Sequence, residues 1–300
     1  SIEKTIEEGL LKKDEKLPLV SVCIPAYNHQ KYVLESLQSV IVQDYKNIEL
    51  IIINDGSKDK TDEVIKSYEQ QCRERFVRFE YRNRENRGIS TTLNEMVDWS
   101  KGKYFTVIAS DDVMLPFKIS LLVEELEMLD ANYVVAFGDA IFVDDNSKEV
   151  YLDKKSGQYT SKEKGIKFFL EYYTEEKQID YKDKETFGSY KTLLSGNYLP
   201  AMSYVAKLDK IKEVNAWTSG NTIEDLEMWL KLSKKYKFAY VDKAVALYRL
   251  HDNNTCKLMK YELVRDSICL LESDKKFIFE KGFSDIFYVT ISDLILQLRK

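Results

Sequence analysis

An α/β fold of the Rossmann-like kind, with a mostly parallel central sheet flanked by helices, is predicted by three features of this 300-residue chain. Short apolar segments alternate with amphipathic helical segments through its first half. Those segments are apolar throughout rather than at every second position, as in strands covered on both faces. Three of them end in compact polar groups: Tyr27-Asn28, Asp55-Gly56 and Asp111-Asp112. Ligands of such sheets bind beyond the carboxyl ends of the strands, so these groups are expected to converge on one crevice.

The elements follow in order. Residues 1–16 read as a charged helix or arm. The β-branched run 19–24, LVSVCI, reads as a buried strand stopped by Pro25. Residues 31–43 place Val33, Leu37, Val40 and Ile41 at helical spacing. A second strand, 48–53, leads to Asn54-Asp55-Gly56-Ser57, and a helix is expected over 60–75. Strand 76–81, helix 88–100, strand 104–109, helix 116–130 and strand 133–138 continue the alternation. From about 150 to 200 charges are dense and periodicity weakens, as in an insertion. Helical spacing returns at 223–235, followed by strand-like 238–241 and 244–250 and a helical 257–300.

Composition narrows the function. With 45 basic and 50 acidic residues well mixed, no basic excess calls for nucleic acid. No apolar run approaches the ~20 residues of a membrane helix, and the charged start has no signal-peptide core. The four cysteines, Cys23, Cys72, Cys256 and Cys269, form no CxxC pair, which points to a reducing cytoplasm. Two histidines, His29 and His251, are too few for a His-rich zinc site. No GxGxxG follows the first strand and no GxxxxGK[ST] is present, against a dinucleotide oxidoreductase and a P-loop nucleotidase.

Chemistry concentrates at the strand ends. Adjacent carboxylates at Asp111-Asp112 are costly beside an apolar strand unless solvated or paired with a cation. A hard divalent ion would pair them and also bind a diphosphate. The bland alternative is a loop and helix cap before Pro116. Asp55-Gly56 likewise reads as a plain turn. Thr222 and Asp225 three residues later resemble a capping box, although Glu or Gln is usual at the second place.

Two segments, VSVCIPAYNHQKYVLESLQSVIVQDYKNIELIIINDGSKDKT and ENRGISTTLNEMVDWSKGKYFTVIASDDVMLP, closely resemble the family 2 glycosyltransferases, which have the GT-A fold. The likeness runs from about residue 19 to 116 and resumes at 221–255. It implies an inverting transferase that moves a hexose or N-acetylhexosamine from a nucleotide-sugar, a UDP-sugar first, to a glycan or lipid-linked glycan. Pro25, Ala26, Tyr27 and Asn28 would cradle the base, Asp55 would hydrogen-bond uracil, and Arg87-Gly88 would form a donor-site loop. Asp112 would bind the metal, Mn²⁺ or Mg²⁺, with Asp111 nearer the ribose. Ala109 stands where many relatives carry a third Asp, leaving water or His251 to complete the ion's shell.

In TIEDLEMWLKL (222–232) the resemblance makes Asp225 the catalytic base, with Glu224 as its neighbour. Direct displacement at the anomeric carbon needs a carboxylate to take the acceptor's proton. His251, in a Tyr-Arg-x-His segment, would reach the metal or the diphosphate. Arg249 is a diphosphate candidate, with an inward ion pair as the equal alternative, and His29 reads as surface. Trp217, Trp229 and the tyrosines of 172–204 suggest an acceptor platform, with core packing favoured for Trp229.

The expected organisation is an arm (1–16), a donor-binding half (17–138), an acceptor-binding and catalytic half (139–256) and a helical extension (257–300) through which copies could associate. The expected setting is polysaccharide or surface-glycan synthesis in the bacterial cytoplasm, with peripheral attachment to the inner membrane face left open. The alternatives are a non-catalytic nucleotide-sugar or glycan-binding module, or one module of a larger polymerase.

Overall fold

The computed structural model describes residues 17–254 and 258–298, so the expected N-terminal arm and Cys256 lie outside the described residues. Ten strands are described. They are β1 (Val20–Ala26), β2 (Ile48–Asp55), β3 (Arg78–Arg84), β4 (Tyr104–Val107), β5 (Val113–Met114), β6 (Tyr133–Val143), β7 (Tyr151–Leu152), β8 (Tyr159–Thr160), β9 (Tyr204–Lys207) and β10 (Lys237–Arg249). Eight form one sheet in the order β3-β2-β1-β4-β9-β6-β10-β5, and β7 and β8 pair separately. The β3-β2-β1-β4 block is parallel, as the unbroken apolar runs predict.

The sheet is covered on both faces. Val22, Ile24, Leu50 and Ile52 pack beneath α1 (Val33–Ile41), α2 (Thr61–Ser67), α3 (Glu69–Arg75) and α5 (Lys118–Met128). Cys23, Ile51, Ile53 and Phe105 face α4 (Ile89–Trp99). Five further helices pack on that second side: α6 (Phe169–Thr174), α7 (Tyr190–Leu193), α8 (Leu208–Glu213), α9 (Glu224–Ser233) and α10 (Lys260–Ser273). There α11 (Lys275–Glu280) and α12 (Ser284–Gln297) complete the layer through Ile278 and Phe287. The C-terminal extension therefore shares the main core. Among the described residues no helix is long and apolar enough to cross a membrane.

Several expectations need correction. The helix expected at 60–75 is two helices meeting at Tyr68. The third strand begins at Arg78 rather than at 76. Strand-like 238–241 and 244–250 are one strand, β10, which follows β6 in parallel through slips between Tyr240 and Ala244 and between Ala244 and Ala246. Between the weakly periodic segment and the helical spacing that returns at 223 lies β9, unassigned from sequence: four residues inserted antiparallel between β4 and β6. A four-residue strand is too short to show a period. At its far end β10 also pairs antiparallel with β5, Leu247 opposite Val113, which delivers residues 249–251 to the Asp111-Asp112 loop.

Candidate active site

The carboxyl ends of β1, β2 and β4 carry the predicted polar groups, and each is held differently. After β1, Asn28 takes a left-handed conformation (φ 52°) and its side chain accepts from the Lys58 amide at 2.7 Å. Pro25 and Ala26 close the strand, and Tyr27 stands exposed at the crevice mouth.

Asp55 ends β2 nearly buried. Its two oxygens accept from the Arg87 amide (2.8 Å) and the Gly88 amide (3.0 Å), and Arg84 pairs with the same carboxylate. It thus fastens the 84–88 loop that leads into α4. Gly56 beside it has φ +75°, and a Cβ there would stand 2.5 Å from the Asn86 amide nitrogen. The turn reading and the site reading of Asp55-Gly56 therefore describe one device: a glycine-only turn that lets an acidic strand end grip the neighbouring loop.

Beyond β4 the two aspartates diverge. Asp111 points into the crevice, where Oδ2 lies 2.9 Å from His251 Nε2 and 3.8 Å from His29 Nε2. Ligand atoms of these three side chains all lie within 4.8 Å of one another. The His29 ring also bonds Ser110 Oγ through Nδ1 at 2.8 Å. Asp112 turns inward, accepting from the Arg249 amide at 2.9 Å. The expected metal ligand Asp112 is thus outside the cluster, and His29, expected on the surface, is inside it. Both histidines of the chain meet on one carboxylate, which the count of two did not foretell.

Electrostatics sharpen this division. Desolvation works to raise Asp111, but the His251 hydrogen bond and nearby His29 outweigh it, and its carboxyl titrates below the usual range. Burial, reinforced by the charge of Asp111, pushes Asp112 well above that range. Burial brings the Lys118 amine down to about 7, against the pull of Asp112. That lysine, buried on α5, donates to Thr106 Oγ1 (3.1 Å) and the Met202 carbonyl (2.8 Å). Nothing in the amphipathic pattern of its helix marks it as interior.

Arg249 follows the inward alternative. Its guanidinium donates to the Asp111 carbonyl (2.7 Å), Ser147 Oγ (2.8 Å) and Glu35 (2.6 Å). It knits the Asp111 loop to α1 and to the turn after β6, with its donors spent on protein partners. Trp229 and Trp217 are core residues, and Trp217 Nε1 donates to the Glu224 carbonyl at 3.1 Å. Neither indole offers a face to a sugar. Tyr198, Tyr190 and Tyr204 are buried as well.

Glu224 and Asp225 open α9. No side chain caps this helix, and Thr222 bonds Asp266 rather than Asp225. The capping-box alternative does not describe this turn. Both carboxyls are partly exposed, yet the surrounding protein desolvates them. Desolvation, then the charge of Asp225, raises Glu224 well above its ordinary value. Desolvation brings Asp225 to about 6. Among the described residues no group hydrogen-bonds the Asp225 carboxylate. Its field reaches Tyr204, whose phenol is raised chiefly by burial and next by Asp225. Tyr204 also takes a hydrogen bond from the backbone of Val107, the last residue of β4, so the acidic pair sits on the side of the sheet near the strand that carries Asp111.

The family model described as "Glycosyl transferase family 2" matches residues 21–191, more than half of the chain. The chain belongs to glycosyl transferase family 2. An uncharacterized glycosyltransferase of Rickettsia typhi is 35% identical to this chain over 160 residues, covering 53% of the chain and 48% of the relative. Another, from Haemophilus influenzae, is 27% identical over 259 residues, covering 83% and 70%. The chain spans about half the length or less of the first curated relatives it matches. Among solved structures, a mannosyltransferase of Pyrobaculum calidifontis in complex with GDP-Man and Mn²⁺ superposes with TM-score 0.62 at 11% identity, covering 94% of this chain and 74% of that one. S. aureus TarS 1–349 in complex with UDP-GlcNAc gives 0.57 at 15%, covering 84% and 66%. At these identities the structures establish a shared fold, the GT-A fold.

Proposed function

We propose that this glycosyltransferase transfers a sugar with inversion from a nucleotide-sugar donor to a glycan or lipid-linked glycan acceptor, assisted by a divalent ion, with Asp225 as general base. The observation that carries the reading is the convergence of His29, Asp111 and His251 at the carboxyl end of the sheet. Ligand atoms about 2.0–2.2 Å from a shared ion stand roughly 3–4 Å apart, close to the 2.9 Å and 3.8 Å that separate Asp111 Oδ2 from the two histidines, so a small side-chain movement would seat one. Two imidazoles and a carboxylate favour Mn²⁺ over Mg²⁺. The complexes of the two structural neighbours, one with GDP-Man and Mn²⁺ and one with UDP-GlcNAc, support the same choice of ligands.

The ion, when bound, supplies Lewis-acid stabilisation of the diphosphate leaving group. The chain's residues do the rest. Asp111, His29 and His251 would hold it, while Asp112 and Arg249 fix the loop that presents Asp111. Asp55 sets the Arg87-Gly88 loop against the base and ribose, and Pro25 to Asn28 wall the other side. Asp225 takes the acceptor's hydroxyl proton as that oxygen bonds to the anomeric carbon and the bond to the diphosphate oxygen breaks. A carboxylate near 6 remains ionised at neutral pH and is a stronger base than an ordinary aspartate.

The test is a screen of UDP-, GDP- and dTDP-sugars with Mn²⁺ and varied acceptors, reading nucleoside diphosphate release. Release by the parent protein, lost in Asp225→Asn, is the expected result. No release from any donor would favour a non-catalytic binding module.

A further inference from the structure

The C-terminal extension grips the helix that carries the acidic pair at both of its ends. At the start of α9, Asp266 of α10 accepts from Thr222 Oγ1 (2.7 Å) and from the Thr222 amide (3.2 Å). At its other end, Lys234 donates to Asp274 at 2.6 Å, and Tyr190 of α7 donates to the same carboxylate at 3.0 Å. Between these points Leu271, Ile278 and Phe287 join the core that holds Leu226, Met228 and Leu230. Each end of α9 is therefore tied to the extension by one aspartate.

The two ties differ in what they hold. The loop before α9 is fixed up to Asn221 from elsewhere. Asn94 exchanges two hydrogen bonds with the Trp217 backbone, Ser90 donates to the Asn221 carbonyl, and Glu227 takes up Thr218 and Asn221. Thr222 is the next residue, and the acidic pair begins two residues later. Asp266 supplies its side-chain partner at that point, and the helix has no side-chain cap of its own. We propose that Asp266 is a positioning residue for Glu224 and Asp225: through Thr222 it sets the entry angle of the first turn of α9 and keeps that turn packed, limiting its contact with water. This inference rests on Asp225 being the base.

The consequence is specific. Without the tie the first turn frays, as uncapped helix starts do. More water then surrounds the partly exposed carboxyl that desolvation holds at about 6. Asp266→Ala should let the Asp225 midpoint fall from about 6 toward 4 and should lower kcat roughly 5- to 20-fold, with nucleotide affinity unchanged. Asp266→Asn keeps an oxygen that can accept from Thr222 and should behave like the parent. Asp274→Ala loosens the far end of the helix and should lower thermal stability without moving the midpoint or kcat.

The test is ¹³C-carboxyl NMR titration of Asp225 in the full chain for the parent and these three variants. Turnover is measured alongside on the most active of the UDP-, GDP- and dTDP-hexoses with Mn²⁺, and Asp225→Asn serves as control. A midpoint shift in Asp266→Ala alone supports the inference. An unmoved midpoint in a folded Asp266→Ala, or equal shifts in Asp266→Ala and Asp274→Ala, overturns it. Near-parent turnover in Asp225→Asn would instead overturn the base assignment, and the titration would still decide the clamp.

Discussion

Replacing Asp225 by Asn should make the protein more stable and nearly inactive at once. Desolvation moves this carboxyl from 3.8 to about 6, and each pKa step is worth 1.36 kcal/mol. The ionised form therefore destabilises the native state by up to ~3 kcal/mol, less whatever the favourable field of the helix N-terminus already returns. The sign follows from the raised value. Stability owed to the protonated group is fully present below pH 4 and is lost as pH rises through about 6. Asn never ionises, so the variant should match the parent near pH 4 and exceed it at pH 8. A gain of 1–3 kcal/mol corresponds to a rise in Tm of roughly 2–4 °C per kcal/mol at this chain length. Turnover should fall about 10²–10⁴-fold, the usual contribution of a positioned base. In the parent, kcat/KM should climb as pH rises through about 6. Scanning calorimetry at pH 4 and pH 8, with nucleotide-release kinetics across that range, checks all three. A variant no more stable than the parent at pH 8 would refute the desolvation argument, and one with normal turnover would refute the base.

Three further outcomes follow from the site. Mn²⁺ binding followed by electron paramagnetic resonance should collapse in Asp111→Asn but persist in Asp112→Asn, because only Asp111 shares the cluster with both histidines; the reverse order would restore Asp112 as the ligand. Arg249→Met should cost about 1–3 kcal/mol in chemical denaturation, since it strands the buried Asp111 carbonyl and removes the part-buried bonds to Ser147 and Glu35. Unchanged stability with weakened UDP binding would mean that Arg249 serves the diphosphate after all. Gly56→Ala should cost about 1–3 kcal/mol or more, because the positive φ and the Asn86 amide leave no room for a Cβ; a neutral result would show that the turn can relax.

The strands of the first half were legible because burial on both faces writes itself as continuous apolar sequence, as at Ile48–Asp55. Their polar ends were legible for the same reason, since an acid stands out against Val and Ile. What could not be seen is how neighbouring acids divide their work. Asp111 and Asp112 are identical in sequence terms, and only the path of β10 decides which one meets His251 and which meets the Arg249 amide. His29 reads as surface from sequence although it directly follows Tyr27-Asn28 at a strand end, because no neighbouring motif sets it apart. Four-residue β9 has no period to read, and its place at the sheet centre depends on partners far away in sequence. The indoles of Trp217 and Trp229 could be platform or core until their neighbours were known.

The meeting of His29, Asp111 and His251 joins points drawn from near the two ends of the main sheet's sequence and from its middle. An unfolded chain presents these ligands as isolated donors, so an ion seated on all three binds the native state almost exclusively. Its binding free energy is then added to the folding equilibrium as RT ln(1 + [ion]/Kd), about 2.7 kcal/mol at a hundredfold excess over Kd. The crevice would thus act as a checkpoint on assembly. A chain in which β10 has not yet docked beside β6 lacks His251, holds the ion weakly, and has no completed donor site in which to spend a nucleotide-sugar unproductively.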